Sequence, residues 1–490
     1  TSGTTTVDGN LTVSAGTFTH NAGTLSLTSN NAQTLNSGAA VFNNVVINKT
    51  ACCGGSDVTV TGTMIVAGNL TLTAVQRIMG GTIAVAGNVT TSATGVAVAT
   101  GTILFNGSGP QILSAGGGSG TLPAAVSINK PLGTLTIQDT INVSAGWSWT
   151  AGSVDAGTST TVFAGDNGRT LNAGSMAFNN VTINMPYCCG GGTVTVSGTM
   201  TVGGNFSLIG AQTINGGTIA IAGHLTSTDT DGISGTTAIT LNGTSAQTIT
   251  TGTGDLPDGA FTINKISGTA TLAANLTLNS AGQDLTIASG TLDLAGFNLT
   301  LTGAGDVLTV NNGGTLQLQG GETITATTKT LNSGSTVIYN GAGAYGSLLL
   351  GNSYHHLTFN GSGSWAHSGT LDVNGNLTIT AGTVNSSGQN ITLAGNWSNS
   401  GTYTSGGNTV TLDGVNQTLT GSTTFSNLTK SVGTADTLTL AASSTTTING
   451  LATLNGAAGQ LLSLRSSSSP TRWNLNLAGT KSISYVDVQD

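Results

Sequence analysis

The sequence predicts an all-β chain folded as a single long parallel β-solenoid, with about 20 residues per coil and essentially no helix. Apolar residues alternate with Thr, Ser and Asn over short runs, for example at 70–72 and 391–393. A period of two is typical of strands with one buried face. Related short units recur about 20 residues apart, the length that one turn of a solenoid needs. Helix signals are scarce, because the chain has one Glu and few Lys or Arg.

The composition excludes several classes of protein. Of 490 residues, 75 are Gly and only 6% are charged, which by itself suggests a disordered linker. The 37% hydrophobic residues fall in alternating runs, however, and this pattern favours an ordered chain. A net charge of −8 argues against a nucleic-acid partner. No run of about 18 apolar residues occurs, so we expect no transmembrane helix.

A long block of the sequence is duplicated. An offset of 136 residues relates Leu35 to Leu171 and Phe42 to Phe178, without a gap between these positions. Such identity indicates duplication of a structural block rather than two unrelated segments. We predict one continuous solenoid over 1–490, with the duplicated segments 33–168 and 169–304 followed by more divergent coils over 305–490.

Three shorter units recur inside and beyond the duplicated block. A Gln-Thr-Leu-like turn and strand lies near Gln33, Gln111, Arg169, Gln247, Lys329 and Gln417. A Phe-Asn-Asn-Val-like strand lies at Phe42 and Phe178, with looser copies at Ala125, Phe261, His355 and Phe425. A Gly-Asn-Leu-Thr-like unit lies at Gly9, Gly68, Gly87, Gly204, Gly223 and Gly375. We expect the repeated Asn to hydrogen-bond to the same position one coil above. The alternative, a string of β-sandwich domains, is disfavoured because sandwiches repeat at about 100 residues.

Some segments are similar to a known group of proteins. They are 336–341 (Thr-Val-Ile-Tyr-Asn-Gly), 356–361 (His-Leu-Thr-Phe-Asn-Gly) and the tail 462–488. These resemble the large secreted bacterial repeat proteins of the filamentous-haemagglutinin-like and autotransporter-like surface groups. The resemblance implies a right-handed β-helix on a bacterial surface, with structural or adhesive work. It supplies no catalytic residues.

The four cysteines form two adjacent pairs, Cys52-Cys53 and Cys188-Cys189, at matching places in the duplicated block. In a solenoid these pairs lie roughly 33 Å apart, whereas a disulfide needs Cα atoms within about 7 Å. The remaining alternatives are a strained disulfide between adjacent residues, bridges to another molecule, or free thiols. Secretion favours oxidation. We predict no metal site, because a lone Cys-Cys lacks zinc-site spacing.

Two further clusters are interpreted as structural. His355, His356 and His367 lie close in sequence, but neighbouring residues of a strand point to opposite faces. We therefore expect surface histidines beside a turn rather than a metal site. The segment 229–232 (Asp-Thr-Asp-Gly) resembles part of a calcium loop, yet the equivalent segment 93–96 has no acid. We expect a solvated turn there.

Catalysis is not predicted, and neither is a cofactor. Acidic residues are scattered singly, and no nucleophile has an evident base beside it. Four of the six lysines end the same kind of strand unit, and we interpret this as an exposed edge position that opposes aggregation. These are Lys49, Lys130, Lys265 and Lys430.

Both ends of the sequence read as strand edges. The candidate assembly edges are Thr1 and Thr4 at one end and Val486 and Val488 at the other. Our leading hypothesis is therefore an extracellular filament or sheath subunit, a homopolymer assembled through β-edges with the Cys-Cys turns as candidate cross-links. The runner-up is the stalk of a bacterial surface adhesin, with cell-surface polysaccharide as a partner. Ice binding is disfavoured because the Thr-x-Thr pairs drift in spacing. Because residue 1 is Thr, we expect a processed form or a piece of a longer protein.

Overall fold

The computed structural model describes residues 2–15, 18–50, 56–95, 99–165, 168–185, 192–230, 232–252 and 254–490. Throughout these ranges the regular structure is β-strand, and none of them contains a helix. The chain forms two compact units, Thr1–Phe261 and Thr262–Asp490.

The strands of the first unit are β1 (Thr4–Val7), β2 (Leu11–Thr12), β3 (Thr24–Leu27), β4 (Gln33–Asn36), β5 (Val41–Phe42), β6 (Asn44–Asn48), β7 (Val58–Val66), β8 (Leu70–Ala74), β9 (Ile78–Val85), β10 (Val89–Thr91), β11 (Thr102–Phe105), β12 (Gln111–Ser114), β13 (Ser119–Leu122), β14 (Ala125–Ile137), β15 (Thr140–Val143), β16 (Trp147–Asp155), β17 (Thr160–Ala164), β18 (Arg169–Asn172), β19 (Ala177–Phe178), β20 (Asn180–Asn184), β21 (Thr193–Val196), β22 (Thr199–Val202), β23 (Phe206–Gly210), β24 (Thr213–Asn215), β25 (Thr218–Ile221), β26 (Leu225–Ser227), β27 (Ala238–Leu241) and β28 (Gln247–Thr250).

The remaining strands are β29 (Phe261–Leu272), β30 (Leu276–Leu278), β31 (Leu285–Asp293), β32 (Leu299–Leu301), β33 (Val307–Val310), β34 (Gly314–Leu318), β35 (Ile324–Thr325), β36 (Thr328–Leu331), β37 (Thr336–Tyr339), β38 (Ala344–Tyr345), β39 (Ser353–Tyr354), β40 (His356–Ala366), β41 (Leu371–Val373), β42 (Leu377–Asn385), β43 (Ile391–Leu393), β44 (Trp397–Asn399), β45 (Thr402–Thr404), β46 (Thr409–Leu412), β47 (Gln417–Thr420), β48 (Thr423–Phe425), β49 (Asn427–Ser431), β50 (Asp436–Leu440), β51 (Thr445–Ile448), β52 (Ala452–Asn455), β53 (Leu462–Ser466), β54 (Asn474–Leu477), β55 (Lys481–Ser484) and β56 (Val486–Gln489).

Each unit is a parallel β-solenoid. Strands stack on the equivalent strand about 21 residues along the chain, and the two units together contain about 22 turns. In β3, for example, Leu25 lies between Thr5 of β1 and Val45 of β6 in a parallel register. The predicted all-β solenoid with a coil of about 20 residues is therefore confirmed.

The core is built by alternation along these strands. Leu25 and Leu27 of β3 point inward below Val45 and Ile47 of β6, and all four are 0–6% exposed. Each fully buried side chain of this size contributes roughly 2 kcal/mol of apolar burial. No single coil covers its own apolar residues, so the stacked neighbours complete the core.

Two kinds of glycine make the corners possible. Gly62, inside β7, and Gly198, between β21 and β22, occupy equivalent positions and both have a φ of 71°, which is unfavourable for other residues. Gly223 has no such dihedral requirement, but a Cβ there would overlap the carbonyl oxygen of Gly204 one coil below. The close approach of successive coils thus requires the repeated Gly of the Gly-Asn-Leu-Thr unit at 68, 87, 204, 223 and 375, whereas Gly9 has open space around it.

The corner asparagines form hydrogen bonds between coils, as predicted. The side-chain oxygen of Asn69 accepts the backbone N–H of Asn88 at 2.8 Å, and that of Asn88 accepts the N–H of Ile112 at 2.9 Å. The acceptors of this kind are Asn10, Asn44, Asn69, Asn88, Asn180 and Asn205 in the first unit, and Asn275, Asn298, Asn376, Asn390, Asn396 and Asn427 in the second. These bonds satisfy corner N–H groups that the strand ladder leaves unpaired.

Candidate functional site

The predicted exposed lysine edge is wrong. The four lysines are 0–1% exposed: Lys49, Lys130, Lys265 and Lys430. In β14, Lys130 follows Val126 and Ile128 in the same inward-pointing alternation, so its side chain enters the interior. The alternation was visible in the sequence, and it is the signal that would have placed these cations inside.

Inside the coil, Lys130 binds a buried glutamine. Its Nζ donates to Oε1 of Gln111 at 2.7 Å and to the carbonyl oxygens of Gly107 and Gly109 at 2.8 and 3.0 Å. The Nε2 of Gln111 donates in turn to the carbonyl oxygen of Val85, one coil below, at 2.9 Å. Desolvation by burial lowers the pKa of Lys130 from its ordinary value. We call this arrangement the internal Gln–Lys pair.

The internal Gln–Lys pair recurs. Nζ of Lys49 lies 3.0 Å from Oε1 of Gln33, and Nζ of Lys430 lies 2.8 Å from Oε1 of Gln417. The two sequence units noted separately, one containing Gln and one ending in Lys, are therefore halves of one structural feature. The amide and the amine together satisfy turn carbonyls that no strand pairs with.

In one copy of the internal Gln–Lys pair, the positive charge lies at the position of the glutamine instead of the lysine. At an offset of 136 residues, Arg169 stands where Gln33 stands and Met185 stands where Lys49 stands. Arg169 is 6% exposed and donates from Nη1 to the carbonyl oxygen of Val143 at 2.8 Å. Met185 is fully buried. The paired substitution keeps one buried cation at this level of the core.

The copy at Lys430 also contains a carboxylate. Nζ of Lys430 lies 2.7 Å from Oδ2 of Asp436, and the two side chains are 0% and 2% exposed. Oδ1 of Asp436 accepts the backbone N–H groups of Asn416 and Thr437 at 2.6 and 2.7 Å. Burial alone would raise the pKa of Asp436, but the hydrogen bonds from Lys430 and these backbone groups outweigh it and lower the pKa. An amine, a carboxamide and a carboxyl group thus meet where water is excluded.

The histidines are not the surface residues that we expected. The rings of His355 and His356 are perpendicular with centroids 4.3 Å apart, and both residues are half-buried. Strand alternation does not separate them, because His355 lies at a bend just before β40. His367 is 3% exposed, and its Nδ1 lies 2.7 Å from the carbonyl oxygen of Gly369. No group of three metal-ligating side chains occurs among the described residues.

His356 takes the place of a corner asparagine. Its Nδ1 accepts the backbone N–H of Asn376 at 3.0 Å, as Oδ1 of Asn376 accepts that of Asn396 at 2.9 Å. Desolvation by burial, and then the neighbouring His355, lower the pKa of His356. The ring is therefore held in the neutral form that this hydrogen bond requires.

In the segment 229–232, Thr230 and Gly232 are exposed, as in the predicted solvated turn, but Asp229 is not. Asp229 is 2% exposed, and its Oδ2 accepts the backbone N–H of Ala211 at 2.5 Å. Burial, with added repulsion from Asp258 and Asp229, raises the pKa of Asp255 although hydrogen bonds oppose the shift. Asp231, the second acid of the calcium-like segment, lies outside the described residues.

The candidate assembly edges fall in terminal strands. Thr4 lies in β1, which pairs with β3, and Val486 and Val488 lie in β56, which pairs with β53. Among the described residues, neither β1 nor β56 has a second strand partner. Thr1 lies outside the described residues, as do all four candidate disulfide residues, Cys52, Cys53, Cys188 and Cys189.

Among the described strands, each of the three in the last coil is paired along one edge only. Over the part of the chain that the structure describes, β54, β55 and β56 each pair with one strand only, β51, β52 and β53 respectively. Apolar side chains are exposed there, with Ile483 at 45%, Tyr485 at 54% and Val488 at 61%. An unpaired strand edge beside exposed apolar residues is a template for pairing with another chain.

The described residues hold no helix that is both long and apolar enough to cross a membrane.

Comparisons with other proteins give no identification. No protein-family model, curated protein or solved structure matches this chain.

Proposed function

We propose that this chain is a non-enzymatic extracellular structural protein whose copies assemble into a filament or sheath through strand edges. The observation that carries the proposal is the last coil, β54 to β56, where three parallel strands each lack a second partner within the described chain. The backbone N–H and C=O groups of such an edge are available to an added parallel strand.

Burial of apolar side chains would further stabilise a contact at this edge. The exposed side chains of Ile483, Tyr485 and Val488 would be covered if another coil stacked on β55 and β56. Every coil inside each unit is stabilised by this kind of stacking. A second copy therefore needs no new kind of interaction to bind here.

The first coil offers a matching edge. β1 pairs with β3 on one side only among the described strands, and residues Thr4–Thr6 are exposed. When β56 of one copy meets β1 of the next, parallel stacking continues in the same direction. This contact joins different surfaces of the two copies, and such a contact extends into a filament unless its rotation closes a ring.

The composition supports assembly, and a resemblance noted in the sequence supports an extracellular location. Charged residues are only 6% of the chain, so electrostatic repulsion between copies is weak. The resemblance to secreted bacterial surface repeat proteins points the same way. Cys52-Cys53 and Cys188-Cys189 are the candidate cross-links between copies under oxidising conditions.

The test is the size of the purified 490-residue chain as a function of concentration. We expect sedimentation velocity to show growing species and electron microscopy to show fibres that lengthen with concentration. Adding a reductant separates the two parts of the proposal. Fibres that persist would assign assembly to strand edges alone, and fibres that fray would add a role for the cysteines. A single species at every concentration would contradict assembly.

A second candidate is an adhesin stalk that binds polysaccharide. It is favoured by a row of stacked threonines on successive strands of the second unit: Thr392, Thr411, Thr429 and Thr453. All four are half-buried, with one threonine per coil, and the hydroxyl of Thr392 donates to Oδ1 of Asp372 at 2.9 Å. We expect co-sedimentation with insoluble polysaccharide to decrease in a Thr411→Val variant if this row binds glycans. Unchanged co-sedimentation would contradict a role for the row.

A further inference from the structure

The contact among Lys430, Gln417 and Asp436 has no counterpart in the other described Gln–Lys pairs. All three residues are at most 6% exposed. Nζ of Lys430 lies 2.8 Å from Oε1 of Gln417 and 2.7 Å from Oδ2 of Asp436. The amine of Lys430 is therefore within reach of both a carboxamide and an acid-base group, and all three groups are shielded from water.

Two other pairs serve as internal comparisons. Lys130 lies 2.7 Å from the carboxamide oxygen of Gln111, and no carboxylate within the described chain hydrogen-bonds or ion-pairs with it. Lys49 lies 3.0 Å from that of Gln33, and the nearby Asp57 is paired with Arg77. These pairs have the amine and the amide but lack the directly bound acid.

We propose that Lys430 and Gln417 become joined by an isopeptide bond between Nζ and Cδ, with Asp436 as the proton acceptor and donor. The reaction goes beyond the proposed structural function and does not depend on it. It makes this corner, between β47 and β49, a site of covalent self-modification.

The step balances without a co-reactant. Oδ2 of Asp436 takes a proton from the Lys430 ammonium, and the freed amine attacks Cδ of Gln417. The new N–C bond forms as the C–N bond to the Gln417 amide nitrogen breaks. Asp436 returns the proton to the leaving nitrogen, and ammonia departs with the second proton of the amine as ammonium. Asp436 ends as the carboxylate that it was at the start.

The contacts of each group support this division of roles. Oδ1 of Asp436 is held by two backbone N–H groups, so Oδ2 remains directed at the amine. Nε2 of Gln417 donates to the carbonyl oxygens of Leu393 and Gly395 at 2.8 and 2.7 Å, which fixes the carboxamide beside Lys430. We assign the acyl group to Gln417, because Asp436 is required as the carrier of the proton during the attack.

The resting ion pair does not prevent the reaction. The reactive state needs a proton to cross from Lys430 to Asp436, and we expect that state to be a minor one. Each molecule reacts only once, however, and held groups reach effective concentrations of about 10⁵ M or more. A slow rate is therefore sufficient to complete the bond during the lifetime of the protein.

The experiment is intact mass spectrometry of the folded full chain, followed over time and combined with peptide mapping. We expect the chain to be lighter by one ammonia, with a branched peptide linking 417 to 430 and no link between 111 and 130. Full mass with separate peptides would overturn the proposal. Loss of one water with a link between 430 and 436 would also overturn it, because Asp436 would then be the acyl donor.

Two variants test the role of the acid. Asp436→Asn should keep its full mass, while the matched Lys130→Met variant should still lose ammonia and form the 417–430 link. Circular dichroism shows whether each variant retains its strands. A link that forms as fast in Asp436→Asn as in the unaltered chain would overturn the assignment of Asp436. If Asp436→Asn does not fold, the peptide map of the unaltered chain decides by itself.

Discussion

Several charged side chains of this protein lie in its interior. The lysines that end repeated strands are inside the coils, and three of them, Lys49, Lys130 and Lys430, donate to glutamine and to backbone carbonyl groups. Arg169 with Met185 shows that the cation can move to the other partner while remaining buried. A buried charge is tolerated only when its donors are satisfied, and several carbonyl oxygens around Lys130 meet this condition.

Replacing Lys130 by Met should destabilise its coil by about 2 kcal/mol, because it removes the side-chain donor to the carbonyl oxygens of Gly107 and Gly109 and one of the two donors to Oε1 of Gln111. The double variant Gln111→Arg with Lys130→Met should recover at least half of this loss, since it copies Arg169 and Met185. Amide hydrogen exchange in β12 and β14 measures the free energy of local opening. A double variant no better than the single one would show that the exchange is not compensatory.

Acid should destabilise the chain through His356. Its folded pKa lies below the ordinary value of 6.5, so the unfolded chain binds the proton more readily. The stabilising contribution is complete above pH about 6.5 and is lost as the pH falls through the folded pKa. In His356→Asn, the usual corner residue replaces the ring and the hydrogen bond no longer titrates. We expect a smaller decrease in melting temperature between pH 7 and pH 5 than in the unaltered chain, because the ring that titrates in this range is gone.

We expect a second buried histidine to cause part of the remaining pH dependence of stability. His367 is buried, and burial lowers its pKa although its bond to Gly369 opposes the shift. His356→Asn should therefore reduce the acid sensitivity without abolishing it. Equal slopes for the variant and the unaltered chain would rule out His356 as a contributor.

At the level of strands and turns, the fold depends on contacts between equivalent elements of successive coils. In the first unit, Trp147 of β16, Phe163 of β17 and Phe178 of β19 meet edge to face, with centroids 5.1–6.4 Å apart. Such aromatic pairs add about 1 kcal/mol each to the burial of their area. Aromatic residues make up only 4% of the chain, and these three lie in contact with one another in the core.

Phe178→Ala should therefore lower the free energy of unfolding by about 4 kcal/mol, because it removes buried apolar surface and leaves a cavity in this cluster. The control is Ile266→Ala, because Ile266 is 92% exposed and should change stability by less than about 0.5 kcal/mol. Thermal unfolding followed by circular dichroism compares the two. A similar melting temperature for both variants would contradict the importance of the aromatic cluster.

For the molecule as a whole, stability is approximately a sum over neighbouring coils. Interior coils have two neighbours, whereas the coil formed by β54, β55 and β56 has one within the described chain. We expect a further coil to add stability here, because it would cover the exposed apolar residues of this coil. Self-assembly is therefore a property that we expect to depend on very few residues.

Val488→Lys should abolish concentration-dependent assembly, because a charged edge residue opposes addition of a strand. Val488 is 61% exposed, so the variant itself should fold. Ile266→Lys adds the same charge at an exposed site away from the terminal strands and is the matched control. Sedimentation velocity of both variants gives the answer. Assembly that persists in Val488→Lys, or that is lost equally in the control, would contradict an edge at β56.

Much of the fold could be predicted from residue order alone. The alternation at 70–72 and the recurring Gly-Asn units indicated parallel coils, because strand periodicity and tight corners are local properties of the chain. The hydrogen bonds of Asn69 and Asn88 were also predictable, since equal spacing brings like residues into register. Lys130 was misinterpreted although its alternation with Val126 and Ile128 placed it inside, because a charge alone suggested the surface.

The sequence by itself therefore determined the strand type, the coil length and the corner residues of this protein, all of which follow from local sterics and from periodicity. Only the tertiary structure decided which distant residues meet. Gln111 and Lys130 are 19 positions apart, and their contact forms only when coils stack. The same holds for His356, which substitutes for a corner asparagine because its ring meets the backbone N–H of Asn376 one coil on. Side-chain chemistry at these sites is set by three-dimensional neighbours that exclude water, and linear order does not specify those neighbours.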